Sequence, residues 1–234
     1  MQTYTEPQFA PGQHQDPRVQ LQPGVDKFMS GVFAWMSVGL LVSALVAFFI
    51  SQSPATLNVL FGSGLKWVIM LAPIGFVWFF ASKVHSMDRS TAIAMFLVYA
   101  ALMGMSFSFI PIVYSAASIF TVFGITAVSF GCLSAFGYLT KRDMSGMGRF
   151  FFMGLIGLIV ASIASMFIPG MSTGIAIFGV LLFAALTAYD TQKLRQIYLT
   201  RGGGGNLAII GALELYLDFI NIFLFLLRLF GDRD

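Results

Sequence analysis

Long apolar runs separated by short polar segments dominate the chain after residue 27. Each run is close to the roughly 20 residues that an α-helix needs to cross about 30 Å of hydrocarbon. A segment in lipid must satisfy its own backbone hydrogen bonds, so we expect helices; the polar alternation typical of a β-barrel is missing. The sequence predicts seven spans, at 28–51, 65–82, 91–113, 117–139, 149–168, 173–190 and 207–229.

The seventh run differs from the others because it carries a polar stripe. Glu214, Asp218 and Asn221 lie three or four positions apart and therefore share one face of a helix. A polar stripe that faces lipid is unstable, so the segment is either a central helix or a re-entrant one, and we favour the central position. We therefore predict an all-α integral membrane protein with seven transmembrane helices, in which the last helix is central and wrapped by the other six.

Composition agrees with this class. Of the 234 residues, 58% are hydrophobic and only 10% are charged, whereas soluble proteins contain about 25% charged residues. The net charge of +3 does not indicate nucleic-acid binding, because the thirteen Lys and Arg residues form no basic stripe. Residues 1–27 are rich in Pro and Gln, which predicts a disordered polar tail before one membrane domain at 28–234. The lone Cys132 falls in an apolar run, where we expect a buried thiol.

Basic residues are distributed unequally between the two sides of the predicted bundle. Ten of the thirteen Lys and Arg residues fall on the side of the N-terminal tail, and three fall on the opposite side. Cytoplasmic segments of membrane proteins carry the excess of Lys and Arg, so the N-terminus is predicted to be cytoplasmic. Seven crossings then place the C-terminus outside, whereas a re-entrant seventh segment would return it to the cytoplasm.

Two aspartates lie inside the last two apolar runs. Asp190 falls near the cytoplasmic end of the sixth span, and Asp218 falls about 18 Å along the seventh at 1.5 Å per residue. A charged side chain at the centre of a membrane helix costs roughly 2.5–3.5 kcal/mol on insertion scales, so such residues mark a functional site by default. The Gly-rich link at 202–205 joins the two spans as a hairpin, so contact between the two carboxyl groups is possible.

Contact would give this pair a defined chemistry. Two carboxyl groups in one low-dielectric site cannot both ionise at low cost, so they titrate as a unit. With one proton they share a short hydrogen bond, and when fully ionised they offer oxygens to a hard cation such as Ca²⁺. The alternative is structural: Asp190 caps its helix or pairs with Lys193 one turn on, while Asp218 bonds neighbouring helices.

Three segments of the chain resemble a known family. The stretch GALELYLDFINIFLFLLRLFG at 211–231, together with LTAYDTQKL at 186–194 and FIPIVYSAASI at 109–119, is similar to the Bax inhibitor motif family, including its bacterial members. The resemblance covers residues 28–231. It implies a seven-helix fold with a central last helix, and a pH-sensitive calcium leak gated by aspartates that match Asp190 and Asp218.

The same resemblance implies a cationic partner for one aspartate. Family members with this activity use an arginine near the cytoplasmic end of helix 2. The corresponding region here is WFFASKVHSMDRS at 78–90, in which Lys83 is the nearest candidate and Arg89 the second. Glu214 is a candidate third carboxylate on the path, and Asn221 is a candidate donor to Asp218, although helix-to-helix hydrogen bonding explains it equally well.

Three functional classes remain open at this stage. The first is a pH-sensitive cation leak channel or transporter, with calcium ions and protons as ligands. The second is a non-conducting regulator that binds other membrane proteins, such as a membrane protease or cell-death factors. The third, an intramembrane aspartyl protease, is disfavoured because LYLD is bulky where such proteases carry GxGD. We expect no enzymatic activity, no cofactor, and location in a bacterial inner membrane, with the lipid bilayer as the main partner.

Overall fold

A computed structural model describes residues 17–165, 167–168 and 170–232. The chain in these ranges is helical, with two short 3₁₀ turns at Val84–Ser86 and Ser145–Met147. The α-helices of the described ranges are α1 (Pro17–Ser51), α2 (Pro54–Phe61), α3 (Leu65–Lys83), α4 (Arg89–Phe107), α5 (Ile110–Val113), α6 (Ala116–Leu139), α7 (Gly148–Ala164), α8 (Met171–Arg201) and α9 (Leu207–Phe230).

Seven helical segments of the described ranges are long and apolar enough to cross a membrane, which confirms the predicted number of spans. They contain α1, α3, α4 with α5, α6, α7, α8 and α9. The short helix α2 was not predicted; Ser53 caps its first turn and Pro54 starts it, both favourable choices at a helix N-terminus.

The first helix starts earlier than its apolar run. α1 begins at Pro17, whereas the sequence predicted a polar tail up to residue 27. Val25 is buried within this added part, so contacts with the bundle extend the helix beyond the hydrophobic segment. Residues 1–16 lie outside the described ranges, and the prediction of a disordered tail there stays a prediction.

α9 lies at the centre of the bundle. In its most apolar window 67% of the residues are buried, against 11–44% for the other spans. α9 packs against α1, α4, α6 and α8, while α3 packs on α4 and α7 packs on α8. The predicted fold class, with a central last helix, is confirmed. Tyr216 of α9 is fully buried, and its hydroxyl lies 2.7 Å from Oγ of Ser43 in α1.

The two ends of α9 lie on opposite sides of the bundle. At its start, Asn206 donates hydrogen bonds of 2.7 and 2.8 Å to the carbonyls of Val84 and Met87, in the turn between α3 and α4. Just after its end, the carbonyl of Asp232 accepts a bond from the backbone of Ser115, at the start of α6. α9 therefore runs from one side of the bundle to the other, as a full crossing requires, and does not turn back as a re-entrant segment would.

The outer surface of the bundle is apolar. Large side chains such as Phe49, Trp78 and Phe120 are 68–79% exposed, as expected for residues that face lipid. Cys132 in α6 is also exposed, so the expectation of a buried thiol was wrong. The physical reason is that lipid-facing and core-facing positions of a membrane helix are equally apolar, so an apolar neighbourhood does not indicate burial.

Candidate functional site

The α8–α9 hairpin brings the two aspartates to similar depth. Asp190 lies eleven residues before the end of α8 at Arg201, and Asp218 lies twelve residues after Asn206. At 1.5 Å per residue these positions are about 16 and 18 Å from the hairpin. Gly202 and Gly205 in the turn have φ values of 74° and 64°, a region that glycine enters without steric cost.

Burial differs between the two carboxyl groups. Asp218 is only 4% exposed, whereas the side chain of Asp190 is 13% exposed. The two groups interact electrostatically, but no hydrogen bond joins them among the contacts of the described residues. Oδ2 of Asp218 has no hydrogen-bond partner in the described part of the chain. The site therefore contains an acceptor in the core of the bundle that the protein leaves unpaired.

A lysine joins the two helices beside this pair. Nζ of Lys193 lies 3.4 Å from Oδ1 of Asp190 on its own helix and 2.9 Å from Oε1 of Glu214 on α9. The side chain of Lys193 is 35% exposed and that of Glu214 is 30% exposed, so this ion pair lies at the more accessible edge of the site. Oε2 of Glu214 is buried and, like Oδ2 of Asp218, has no partner among the described residues.

We refer to Asp190, Lys193, Glu214 and Asp218 as the acidic cluster. The charged groups that act on Asp218 are Asp190 and Lys193 from α8 and Glu214 from its own helix. From the described parts of α1, α4 and α6, which also pack against α9, no further charged group acts on it. With all its carboxyl groups ionised, the cluster has a formal charge of minus two.

Sequence reasoning considered Lys193 only as a local partner of Asp190 and missed its contact with Glu214. The register of the α8–α9 hairpin could have predicted this contact. Lys193 lies eight residues before Arg201, and Glu214 lies eight residues after Asn206, so an antiparallel register places them opposite each other. The same register places Asp190 near Asp218.

The other predicted accessory residues lie apart from the cluster. Lys83 and Arg89 are exposed, and neither forms an ion pair with a carboxylate of the described residues. Asn221 donates to the carbonyl of Leu217 at 2.8 Å within its own helix, and not to Asp218. The cationic partner predicted from the α3–α4 region is thus not found among the ion pairs of the described residues, and Lys193 provides the cation instead.

No three metal-binding side chains of the described residues come close enough together to hold a metal ion. The carboxyl groups of Asp190, Glu214 and Asp218 are neighbours, but they are not gathered around one point. A calcium ion bound by Asp190 and Asp218 therefore remains a proposal, with Ca²⁺ as a transported ion rather than a resident one.

A buried glutamine anchors the loop next to the cluster. Gln192, two residues after Asp190, accepts a 2.8 Å bond from the backbone of Met144 and donates a 2.7 Å bond to the carbonyl of Arg142. Sequence reasoning did not identify this residue. Its two bonds fix the α6–α7 loop to α8, so the loop and the cluster are held together.

A cavity of about 460 Å³ lies between α3, α4 and α9. Leu217, Asn221 and Leu224 of α9 line it, together with Tyr99 and Ser106 of α4. Asn221 and Leu224 lie beyond Asp218 along α9, whereas Leu217 and Glu214 lie on its hairpin side. The lining of this cavity is mainly apolar, and Asp218 is not among the residues that line it.

Taken together, a central acidic helix wrapped by lipid-facing helices defines an integral membrane protein with an ionisable core. The chain belongs to the Bax inhibitor motif family: the sequence model described as "Inhibitor of apoptosis-promoting Bax1" matches residues 25–234. This confirms the resemblance seen in the sequence.

Several bacterial proteins are similar to this chain over nearly their whole length. Inner membrane protein YbhL of Escherichia coli K12 is 40% identical over 226 residues, covering 93% of this chain and 97% of the relative. A protein of Deinococcus radiodurans is 40% identical over 215 residues, covering 90% and 92%. Protein YrjE of Lactococcus lactis is 40% identical over 222 residues, covering 91% and 93%.

Proposed function

We propose that the protein is a pH-sensitive cation leak of a bacterial inner membrane, with Ca²⁺ as the transported ion and Asp190 and Asp218 as its proton-sensitive pair. The observation that carries the proposal is the buried, unpaired carboxyl oxygen of Asp218 in the middle of the central helix α9. The location is supported by the relative YbhL, which is named an inner membrane protein.

The physical argument rests on charge. Leaving a buried polar group unpaired costs roughly 1–3 kcal/mol, and more for a charged one, so Asp218 does not serve stability. Every proton that enters or leaves the acidic cluster changes its formal charge by one unit in a low-dielectric core. At 4 Å, one unit charge acts on another with about 4 kcal/mol at an effective dielectric constant of 20, enough to change cation occupancy strongly.

A flux experiment tests the proposal. The purified protein is reconstituted into vesicles containing a calcium-sensitive dye, and Ca²⁺ entry is measured from pH 6 to pH 8. We expect a pH-dependent flux in the natural protein. Asp190→Asn and Asp218→Asn should flatten the pH profile, because an amide keeps the shape of the side chain but cannot exchange the proton.

Asp143→Asn is the matched control. Asp143 is an exposed aspartate in the α6–α7 loop, outside the membrane segments, and an amide retains its ability to accept a hydrogen bond from Ser145. This variant should keep the natural pH profile. The proposal is wrong if the natural protein gives no flux above empty vesicles, or if both membrane aspartate variants keep its flux and its pH profile.

A further inference from the structure

We propose that Lys193 is a tethered competitor of the transported cation: its ammonium group holds the acidic cluster closed, and a divalent cation enters only by displacing it. This inference rests on the proposed function, because it concerns the same carboxyl groups. It goes further by naming the residue that limits cation entry and the event that admits the cation.

The position of Lys193 supports this role. Its Nζ lies within 3.4 Å of carboxyl oxygens on two different helices, so it links α8 to α9 by charge. A lysine ammonium is a compact point charge on a flexible four-carbon stem, so it can leave a site without moving the backbone. Its side chain is 35% exposed, which leaves room for the ammonium group to move out of the site.

The carboxyl oxygens around Lys193 support the competitor role independently. One ammonium group occupies Oδ1 of Asp190 and Oε1 of Glu214, while Oε2 of Glu214 and Oδ2 of Asp218 stay buried and unpaired. A hard cation such as Ca²⁺ takes six to eight oxygen ligands, so it would use acceptors that a lysine leaves free. The unpaired oxygens are therefore acceptors that Lys193 does not use, and in this proposal they converge on a common cation only after Lys193 has left.

Charge gives the direction of the exchange. With Lys193 in place and all carboxyl groups ionised, the cluster has a formal charge of minus two. With the ammonium withdrawn into water and a divalent cation in its place, the charge is minus one. The exchange therefore reduces the net charge of the core, and removing the lysine charge should make entry of the cation easier.

The first test measures Ca²⁺ flux as a function of Ca²⁺ concentration at fixed pH. Lys193→Met keeps an unbranched, flexible side chain of similar length and removes its charge. We expect the half-saturating concentration to fall by roughly tenfold, because a competing unit charge is gone. Lys193→Arg should keep the natural value, and so should Lys141→Met, which removes an exposed lysine in the α6–α7 loop.

The outcomes separate the two proposals. If the natural protein conducts and Lys193→Met leaves the half-saturating concentration unchanged, the competitor role is overturned and the leak stands. If the natural protein does not conduct, the proposed function fails, and a second measurement then decides the role of Lys193.

The second measurement needs no flux and no variant at position 193. The natural protein in detergent is treated with an amine-reactive reagent at increasing Ca²⁺ concentrations, and modification of each lysine is followed by mass spectrometry. Displacement predicts that Ca²⁺ raises the modification of Lys193 several-fold and leaves that of Lys141 unchanged. In Asp218→Asn the rise should shift to higher Ca²⁺ concentrations. Modification of Lys193 that does not respond to Ca²⁺ overturns the inference.

Discussion

Asp218 and Lys193 show what single residues contribute to this core. Asp218 keeps a carboxyl oxygen unpaired in the span with the largest buried share, so this oxygen adds a polar group to the core without a compensating hydrogen bond among the described residues. Lys193 pairs with carboxylates on two helices and so compensates part of the negative charge around it. The sequence identified both aspartates, since a charge within an apolar run is visible without coordinates. It did not identify the contact between Lys193 and Glu214, which depends on the hairpin register.

Asp88 gives a prediction about stability at the same scale. It caps α4: its carboxylate accepts a 3.0 Å bond from the backbone of Thr91 and also bonds the hydroxyls of Ser90 and Thr91. These bonds, with the Ser90 hydroxyl first, hold the pKa of Asp88 well below its usual value. Asp88→Ala should therefore lower the thermal midpoint at neutral pH, because the first turn of α4 loses its acceptor.

The pH dependence of that effect has a definite sign. The folded-state pKa of Asp88 is depressed, so its stabilisation is fully present above the unfolded pKa near 4 and is lost as the pH falls further. The difference in thermal unfolding midpoint between the natural protein and Asp88→Ala should be constant from pH 7 to pH 5 and should become smaller below pH 4. Asp88→Asn keeps an acceptor without the charge and is the control. A gap that stays constant down to pH 2.5 would contradict this assignment.

At the scale of elements, close approach between helices depends on small residues. A Cβ built on Gly137 of α6 would lie 2.2 Å from the carbonyl oxygen of Ala188 in α8. Because this oxygen belongs to the backbone, no side-chain rotation can relieve the contact. Small residues at such crossings let membrane helices pack by van der Waals contact. The α6–α8 contact supports α8 just two residues before Asp190, so it positions the acidic cluster.

Gly137→Ala should therefore destabilise the protein by about 1–3 kcal/mol, the usual cost of overpacking. Gly131 lies on the same helix, and a Cβ built on it meets nothing within 4 Å. Gly131→Ala is therefore the matched control. The control should be neutral or slightly stabilising, since alanine favours a helix by up to about 1 kcal/mol over glycine. Unfolding in detergent with a graded denaturant measures both. Equal stability of the two variants would show that the crossing tolerates a larger residue.

The helices themselves were largely predictable, and their partners were not. Hydropathy alone located the seven spans, and Gly202 and Gly205 marked the α8–α9 turn. Hydropathy did not reveal α2, which is too short to be recognised as a span. It also did not reveal the start of α1 at Pro17, which depends on contacts with the rest of the bundle.

At the scale of the whole molecule, the polar stripe of α9 indicated the centre of the bundle correctly. The neighbours of the other helices could not be predicted, because lipid and protein core are equally apolar solvents. Phe96 is fully buried while Phe120 is 76% exposed, yet both lie in apolar runs of similar composition. The distribution of Lys and Arg is the remaining long-range signal in the sequence. It predicts the orientation of the bundle in the membrane and not the packing of its helices.

The orientation of the whole molecule is the last prediction. The α3–α4 turn contacts the start of α9, while Asp232, just after α9, contacts Ser115 on the opposite side. Ten of the thirteen basic residues lie on the first side by sequence, so this side is predicted to be cytoplasmic. Exposed loop positions can report it, because Asp143 lies on the predicted cytoplasmic side and Ser63, in the α2–α3 connection, on the other.

Thiol labelling distinguishes the two orientations. In a Cys132→Ala background, Ser63→Cys should react with a membrane-impermeant maleimide on cells whose outer membrane has been made permeable, and Asp143→Cys should not. In inverted vesicles the pattern should reverse, because the cytoplasmic face is then outside. Neither substitution removes a basic residue, so the charge asymmetry that determines insertion is preserved. Labelling of Asp143→Cys from the outside would show that the bundle is inserted the other way round, with the accessible edge of the acidic cluster facing the periplasm.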